Sequence, residues 1–309
     1  MKNSKNPILI VVAFFSIYVI WGSTYLLNKI AVTELPPFML AGMRFLMASV
    51  LIFIIAKIIG LKLSITKVQL KNTTIAGFLF LTFGNGVVVW ALKYVDSSFA
   101  ALQVSAQPLI VLLMMRFLEG KKIQAMSIIG VFLGIIGIFL LVSQKGMITK
   151  EGMTMGMVMI FVCMLSWGYG SLFVTKADLP SNFFVNTGYQ MLTGGSMLLI
   201  GSLAFGESWS NPIDWSLKVQ LSMAGLIIFG SIVAFTSFNY LLKTVSPEKV
   251  ATSNYVNPII AMLLGWYFLN EPITVQSVIA AFILLSGVYF INTKKKMVMY
   301  ARFKRQKTV

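Results

Sequence analysis

The sequence has no histidine, a single cysteine and only 9 acidic residues among 309. Without histidine, imidazole acid–base catalysis and histidine metal sites are excluded. Cys163 alone cannot build a disulfide framework or a multi-cysteine metal site within the chain. Charged residues make up 11%, less than half of the roughly 25% found in soluble domains. Most of this polypeptide therefore does not face water. Short of acids, the chain is long in apolar residues: 58% are hydrophobic and the mean hydropathy is +0.86.

A helix crosses about 30 Å of hydrocarbon with roughly 20 apolar residues. Runs of that kind are expected over 8–31, 38–60, 72–92, 97–118, 125–143, 153–176, 182–204, 219–241, 248–269 and 275–292. No break between them is long enough for a soluble domain. The first run follows Lys2 and Lys5 as in a signal peptide. It continues past Trp21 without a small-residue processing site, so it is expected to be a retained span. The fold class is thus an all-α integral membrane protein with ten transmembrane helices.

The 25 basic residues against 9 acids leave a net charge of +16. Their distribution decides what that charge means. With the N-terminus inside, the cytoplasmic side holds Lys2, Lys5, Lys57, Lys62, Lys67, Lys71, Arg116, Lys121, Lys122, Lys176, Lys243, Lys249 and the basic tail from Lys294 onward. The outer side holds only Lys29, Lys93, Lys145, Lys150 and Lys218. This asymmetry predicts a plasma-membrane protein, of bacterial type, with both termini cytoplasmic. It also predicts contact with anionic lipid headgroups. No basic face exists apart from these flanks, so nucleic acid is not an expected partner.

The segment LKYVDSSFAALQVSAQPLIVLL from Leu92 matches LKTVSPEKVATSNYVNPIIAML from Leu242, with Lys93 on Lys243 and Pro108 on Pro258. Upstream, WGSTYLLNK from Trp21 echoes WGYGSLFVTK from Trp167. Each unit holds five spans, an odd number, so the second is expected to lie upside down relative to the first. The expected division is a cytoplasmic N-terminus 1–7, a five-helix repeat 8–143, an inverted repeat 153–292 and a basic cytoplasmic tail 293–309. Inverted repeats with a site at mid-membrane suit secondary transporters; retention of a duplication for packing alone is the other reading.

The stretch from Ile20 to Ala48, with WGSTYL, the Pro36–Pro37 pair and GMRF, resembles the opening of the EamA-type carriers of the drug/metabolite transporter superfamily. The stretch SPEKVATSNYVNPIIAMLLGWYFLNEPIT is similar to the end of their second repeat. The fourth span departs from that pattern, ending LEGKKI where the ninth has LNEPI. The resemblance implies ten helices, cytoplasmic termini, and export or exchange of small metabolites such as amino acids.

Polar atoms in hydrocarbon are costly unless paired or facing a cavity, so polar residues inside spans are the informative ones. Gln103 and Gln107 share one helical face, as do Ser253 and Asn257. Beside them, Pro108 and Pro258 lack an amide hydrogen and loosen the ladder, which makes them candidate hinges. The amides are candidate walls of a substrate site, or else interhelical glue. Trp21 and Trp167 lie too deep for an interfacial belt and are expected to line a cavity. Tyr25, Asn85, Trp90, Asn239, Asn254 and Tyr255 are further candidates. Gly130 and Gly134 form a GxxxG pair expected at a helix contact. Arg44 has two readings: a bidentate grip on a substrate carboxylate, or an outward reach to Glu34 or loop carbonyls.

Every carboxylate falls at a span end or in a loop, so no intramembrane proton relay is expected. The expected cargo is a neutral or zwitterionic small molecule, with no cofactor and no metal. An intramembrane lipid-modifying enzyme would need a nucleophile with a base, a metal or a carboxylate pair, none of which is present. A receptor or assembly subunit without transport is the remaining alternative.

Overall fold

The structure, a computed structural model, describes residues 7–120, 125–143, 151–245, 250 and 253–292. The expected terminal segments and the basic residues Lys2, Lys5, Lys121, Lys122, Lys145, Lys150, Lys249 and Lys294 onward lie outside the described residues.

Ten helical rods make up the described chain. They are α1 (Pro7–Ala31), α2 (Pro37–Ile58), α3 (Lys67–Ala91), α4 (Ser97–Glu119), α5 (Ala125–Val142), α6 (Met153–Lys176), α7 (Phe183–Ala204), α8 (Leu217–Thr244), α9 (Ser253–Leu269) and α10 (Val275–Asn292). Six of them, α1–α4, α6 and α8, are long and apolar enough to cross a membrane by length and composition. The exterior is apolar: Val50, Ile54, Ile58, Phe132, Phe139, Ile200, Phe229 and Phe282 are exposed, while Arg44, Asn186, Gln190 and Asn239 are buried. A soluble monomer does not expose apolar surface on this scale. Hydrocarbon is the solvent that suits it, and this is a multi-pass membrane protein.

The helices start and stop where local chemistry directs. α3 begins at Lys67, earlier than its apolar run, because Thr66 and Gln69 form a reciprocal capping box at 3.1 and 3.2 Å, satisfying amides that a helix start leaves open. α4 ends at Gly120 (φ 64°) and α9 at Asn270 (φ 53°), both left-handed; asparagine tolerates that region best after glycine.

Two carboxylates from connections cap helices elsewhere in the chain. Glu207 accepts from the amides of Phe38 and Met39 at the start of α2, at 3.1 and 2.8 Å. Glu271 accepts from the amides of Ser97 and Ser98 at the start of α4, at 2.9 and 3.0 Å, and from Ser97 Oγ at 2.7 Å. These contacts, with Glu34 accepting from Ser216 and Lys29 donating to the Leu92 and Val95 carbonyls, gather alternate connections at one end of the bundle. At the other end Gln69 and Asn72 hold Asp178, Lys176 pairs with Glu119, and Lys243 donates to the Pro180 carbonyl.

α2 packs along α7, and α5 along α10. In the second pair Gly287 lies against the α5 backbone, where a Cβ would stand 2.8 Å from the Gly130 carbonyl oxygen and 3.1 Å from the Gly134 nitrogen. The GxxxG pair therefore sits at a helix contact.

Three rods widen into π-helical turns: α1 at Ser16–Ile20, α3 at Phe78–Asn85 and α8 at Leu226–Phe235. α4 is interrupted at Ser105–Ala106, just before Pro108, whereas α9 runs through Pro258 as continuous helix. The π-turns of α3 and α8 and the residues flanking the break in α4 border one central space, where Leu81, Asn85, Val104, Gln107, Gly230 and Phe235 line it.

Candidate functional site

A cavity of about 130 Å³ lies between α1, α2, α3, α4, α6, α8 and α9, room for about four waters at liquid density or one small metabolite. Side chains supply its polarity, among them Asn28, Arg44, Asn85, Gln107 and Asn257, and irregular helices surround it. A π-turn leaves carbonyls that ordinary i→i−4 bonds would have used, and in a low-dielectric interior these need partners. Side chains from neighbouring helices supply them. Asn257, with its amide nitrogen turned toward α1, donates to the Ile17 and Tyr18 carbonyls at 3.1 and 2.6 Å. Trp21 Nε1 donates to the Gly230 carbonyl in α8 at 3.3 Å. Ser166 Oγ donates to the Leu79 carbonyl in α3 at 2.8 Å.

The middle of the cavity is aromatic. Trp21 and Trp167 meet edge to face with centroids 5.9 Å apart, and Phe238 touches both, at 5.1 and 5.8 Å. Phe80 backs Trp167 at 5.0 Å. Two residues singled out for their matching Trp-Gly settings are thus brought into one wall. Gln107 closes the α4 side, its Nε2 donating to the Met164 carbonyl at 3.0 Å. Asn85 presents a buried Oδ1 with no partner among the described residues, and Ser253 and Asn254 line the α9 side with Asn257.

Arg44 is 3% exposed and lines the same space. Its Nε donates to Ser231 Oγ at 2.8 Å, and its Nη1 lies 3.4 Å from Asn28 Oδ1. The outward reach to Glu34 does not occur: Glu34 is engaged by Ser216. Gly230 provides the reason. A Cβ there would stand 3.0 Å from Arg44 Nη2, so the missing side chain leaves the guanidinium its place in the interior.

Of the expected site residues, Trp21, Tyr25, Arg44, Asn85, Gln107, Trp167, Ser253, Asn254 and Asn257 border the cavity. Trp90, Gln103 and Asn239 do not. Trp90 packs on Phe38 and Phe205. Gln103 donates to the Met157 carbonyl at 2.8 Å, two helical turns of α6 from the Gln107 contact. The break at Ser105–Ala106 separates the two glutamines, although both face α6. Asn239 belongs to a buried cluster in which its Nδ2 donates to Thr187 Oγ1 at 3.0 Å and its Oδ1 accepts from Asn186 at 3.3 Å. The side chain of Tyr255 lies outside the described residues. Asn28 and Thr24, which line the cavity, were not singled out in sequence, though both share the Trp21 helical face in WGSTYLLN.

No carboxylate among the described residues lines the space. The chemistry it offers is binding: hydrogen-bonding amides, aromatic faces and one guanidinium.

The EamA-like transporter family matches the chain twice, over residues 8–143 and 154–293. The chain belongs to this family. As a member of the drug/metabolite transporter superfamily it is a membrane transporter and not an enzyme. It is 36% identical over 254 residues to the "uncharacterized inner membrane transporter YedA" of Escherichia coli (strain K12), covering 82% of this chain and 80% of that one. It is 25% identical over 288 residues to the "uncharacterized transporter YoaV" of Bacillus subtilis (strain 168), covering 92% and 96%. One crystal structure superposes with a TM-score of 0.68 at 17% identity, over 92% of this chain and 96% of the other, a likeness of fold.

Proposed function

We propose that this EamA-like transporter is a secondary carrier exporting a small neutral or zwitterionic metabolite, such as an amino acid, across the plasma membrane by alternating access. In this reading the ten helices form two inverted five-helix repeats, with both termini cytoplasmic and basic flanks against anionic headgroups. The observation that carries it is the cavity itself, walled by Trp21, Tyr25, Arg44 and Gln107 from one half and Trp167, Ser253, Asn254 and Asn257 from the other.

Recurring features support the repeat. The left-handed ends at Gly120 and Asn270 fall at the spacing that aligns Pro108 with Pro258. The π-turns of α3 and α8 fall at nearly the same spacing, and α2–α7 and α5–α10 pack as equivalent pairs. Pro108, beside the break in α4, and Pro258, inside α9, act as hinges when the halves rock. Gln103 and Asn239 hold helix contacts at a distance from the cargo.

Efflux of a metabolite panel from cells overproducing the protein tests the reading. Flux of at least one member, abolished by Gln107→Leu or Asn257→Leu with expression intact, is the expected result. Undiminished flux in both variants would falsify the assignment of the cavity as the pathway. No protein-dependent flux of any kind would remove the carrier reading itself.

A further inference from the structure

Arg44 brings a positive charge into a space where no described carboxylate answers it. It is 3% exposed, roughly two helical turns below the start of α2. Only Nε and Nη1 have protein acceptors among the described residues, and both acceptors, Ser231 Oγ and Asn28 Oδ1, are neutral. The acids are engaged elsewhere: Glu34 with Ser216, Glu119 with Lys176, and Glu207 and Glu271 at helix starts. A desolvated charge without a counter-charge is costly, and that cost falls when an anion enters. The planar guanidinium fork matches a carboxylate, and Ser231 and Asn28 hold it in orientation.

The surroundings specify the rest of the ligand. At Gly230, Arg44 Nη2 and the Trp21 indole come together: a Cβ there would be 3.0 Å from Nη2, and the Gly230 carbonyl accepts from Trp21 Nε1 at 3.3 Å. A carboxylate on Arg44 therefore sends its substituent toward the Trp21–Trp167–Phe238 wall. An ammonium group finds no carboxylate there, only neutral acceptors such as Asn85 Oδ1.

Resting on the carrier reading and narrowing its cargo to zwitterions with an apolar substituent, we infer that the carboxylate is the recognised group: its bond to Arg44 is required, and the α-amino group adds little to binding.

The test is tryptophan fluorescence of the full-length protein in nanodiscs, titrated with 3-phenylpropionate, its methyl ester, 3-phenylpropylamine and chloride. The acid is expected to give a saturable change, with the ester and the amine at least tenfold weaker and chloride not displacing the acid at equal concentration. Arg44→Gln is expected to abolish the response and Arg44→Lys to weaken it about tenfold, with unchanged melting showing that the variants fold. The comparison of acid with ester needs only the wild-type protein, so it stands even if Arg44 variants misfold. Equal binding of ester and acid, displacement by chloride, retained binding in a folded Arg44→Gln, or no response to the acid would each overturn the inference. None of these outcomes touches the carrier reading, which is decided separately by flux of the metabolite panel.

Discussion

The indoles of Trp21 and Trp167 stand edge to face, their centroids 5.9 Å apart and their planes at 86°, joining α1 to α6 across the cavity. An aromatic pair in this geometry contributes about 0.5–1.5 kcal/mol beyond its buried area. Trp167→Ala removes a cavity wall as well as the pair, so efflux is expected to fall about tenfold or more. Trp167→Phe, which keeps a ring against Phe238 and Phe80, is expected to retain most of it. Initial efflux rates normalised to protein level check both.

Glu271 should act on assembly and not on cargo. Its three hydrogen bonds to Ser97 and Ser98 are charge-assisted, and such bonds contribute about 1.5–3 kcal/mol each. Glu271→Gln keeps the shape and loses the charge. A lower thermal midpoint with an unchanged KM for efflux is expected; a changed KM at unchanged midpoint would contradict the capping role.

The amide cluster of Asn186, Gln190 and Asn239 makes a parallel case. Asn239→Leu removes the partner of the Asn186 Nδ2 donor and of the Gln190 Oε1 acceptor while the Gln190–Asn186 bond remains, at a cost of about 1–3 kcal/mol for each buried group left unpaired. The position is outside the cavity, so stability is expected to drop while apparent cargo affinity stays within about twofold. Scanning fluorimetry in detergent, paired with a concentration series of efflux, separates the two.

At Gly287 the prediction is steric. An added methyl meets backbone atoms of Gly130 and Gly134, which cannot swing aside as a side-chain tip would. Gly287→Ala is expected to destabilise by about 1–3 kcal/mol, and Gly201→Ala, with open space around it, by much less. Equal melting shifts for the two variants would count against close packing of α5 and α10.

Membrane spans are legible in the amino-acid order because hydrocarbon imposes one local demand, apolar residues over the crossing length, and composition within a window reports it. The helix positions follow, and so does the depth of Trp21 and Trp167, since both depend on neighbours in the chain. The limits erred where polar residues continue a helix, as at Lys67, because the Thr66–Gln69 box extends α3 into water.

The side chains that meet, and the direction each one faces, depend on partners far away in the chain, and only the packed structure sets them. Arg44 stays inside because Gly230 leaves it space and Ser231 accepts from it, neither of which could be read from the GMRF motif. Gln103 and Gln107 share a face in an ideal helix, yet the break before Pro108 leaves only Gln107 at the cavity. The π-turn carbonyls of α1, α3 and α8 find partners on other helices, and periodicity carries no sign of that need. A local solvent preference is written in each segment by itself; the pairing of buried polar groups is a property of the assembled bundle, because each group is satisfied only by what another helix brings to it.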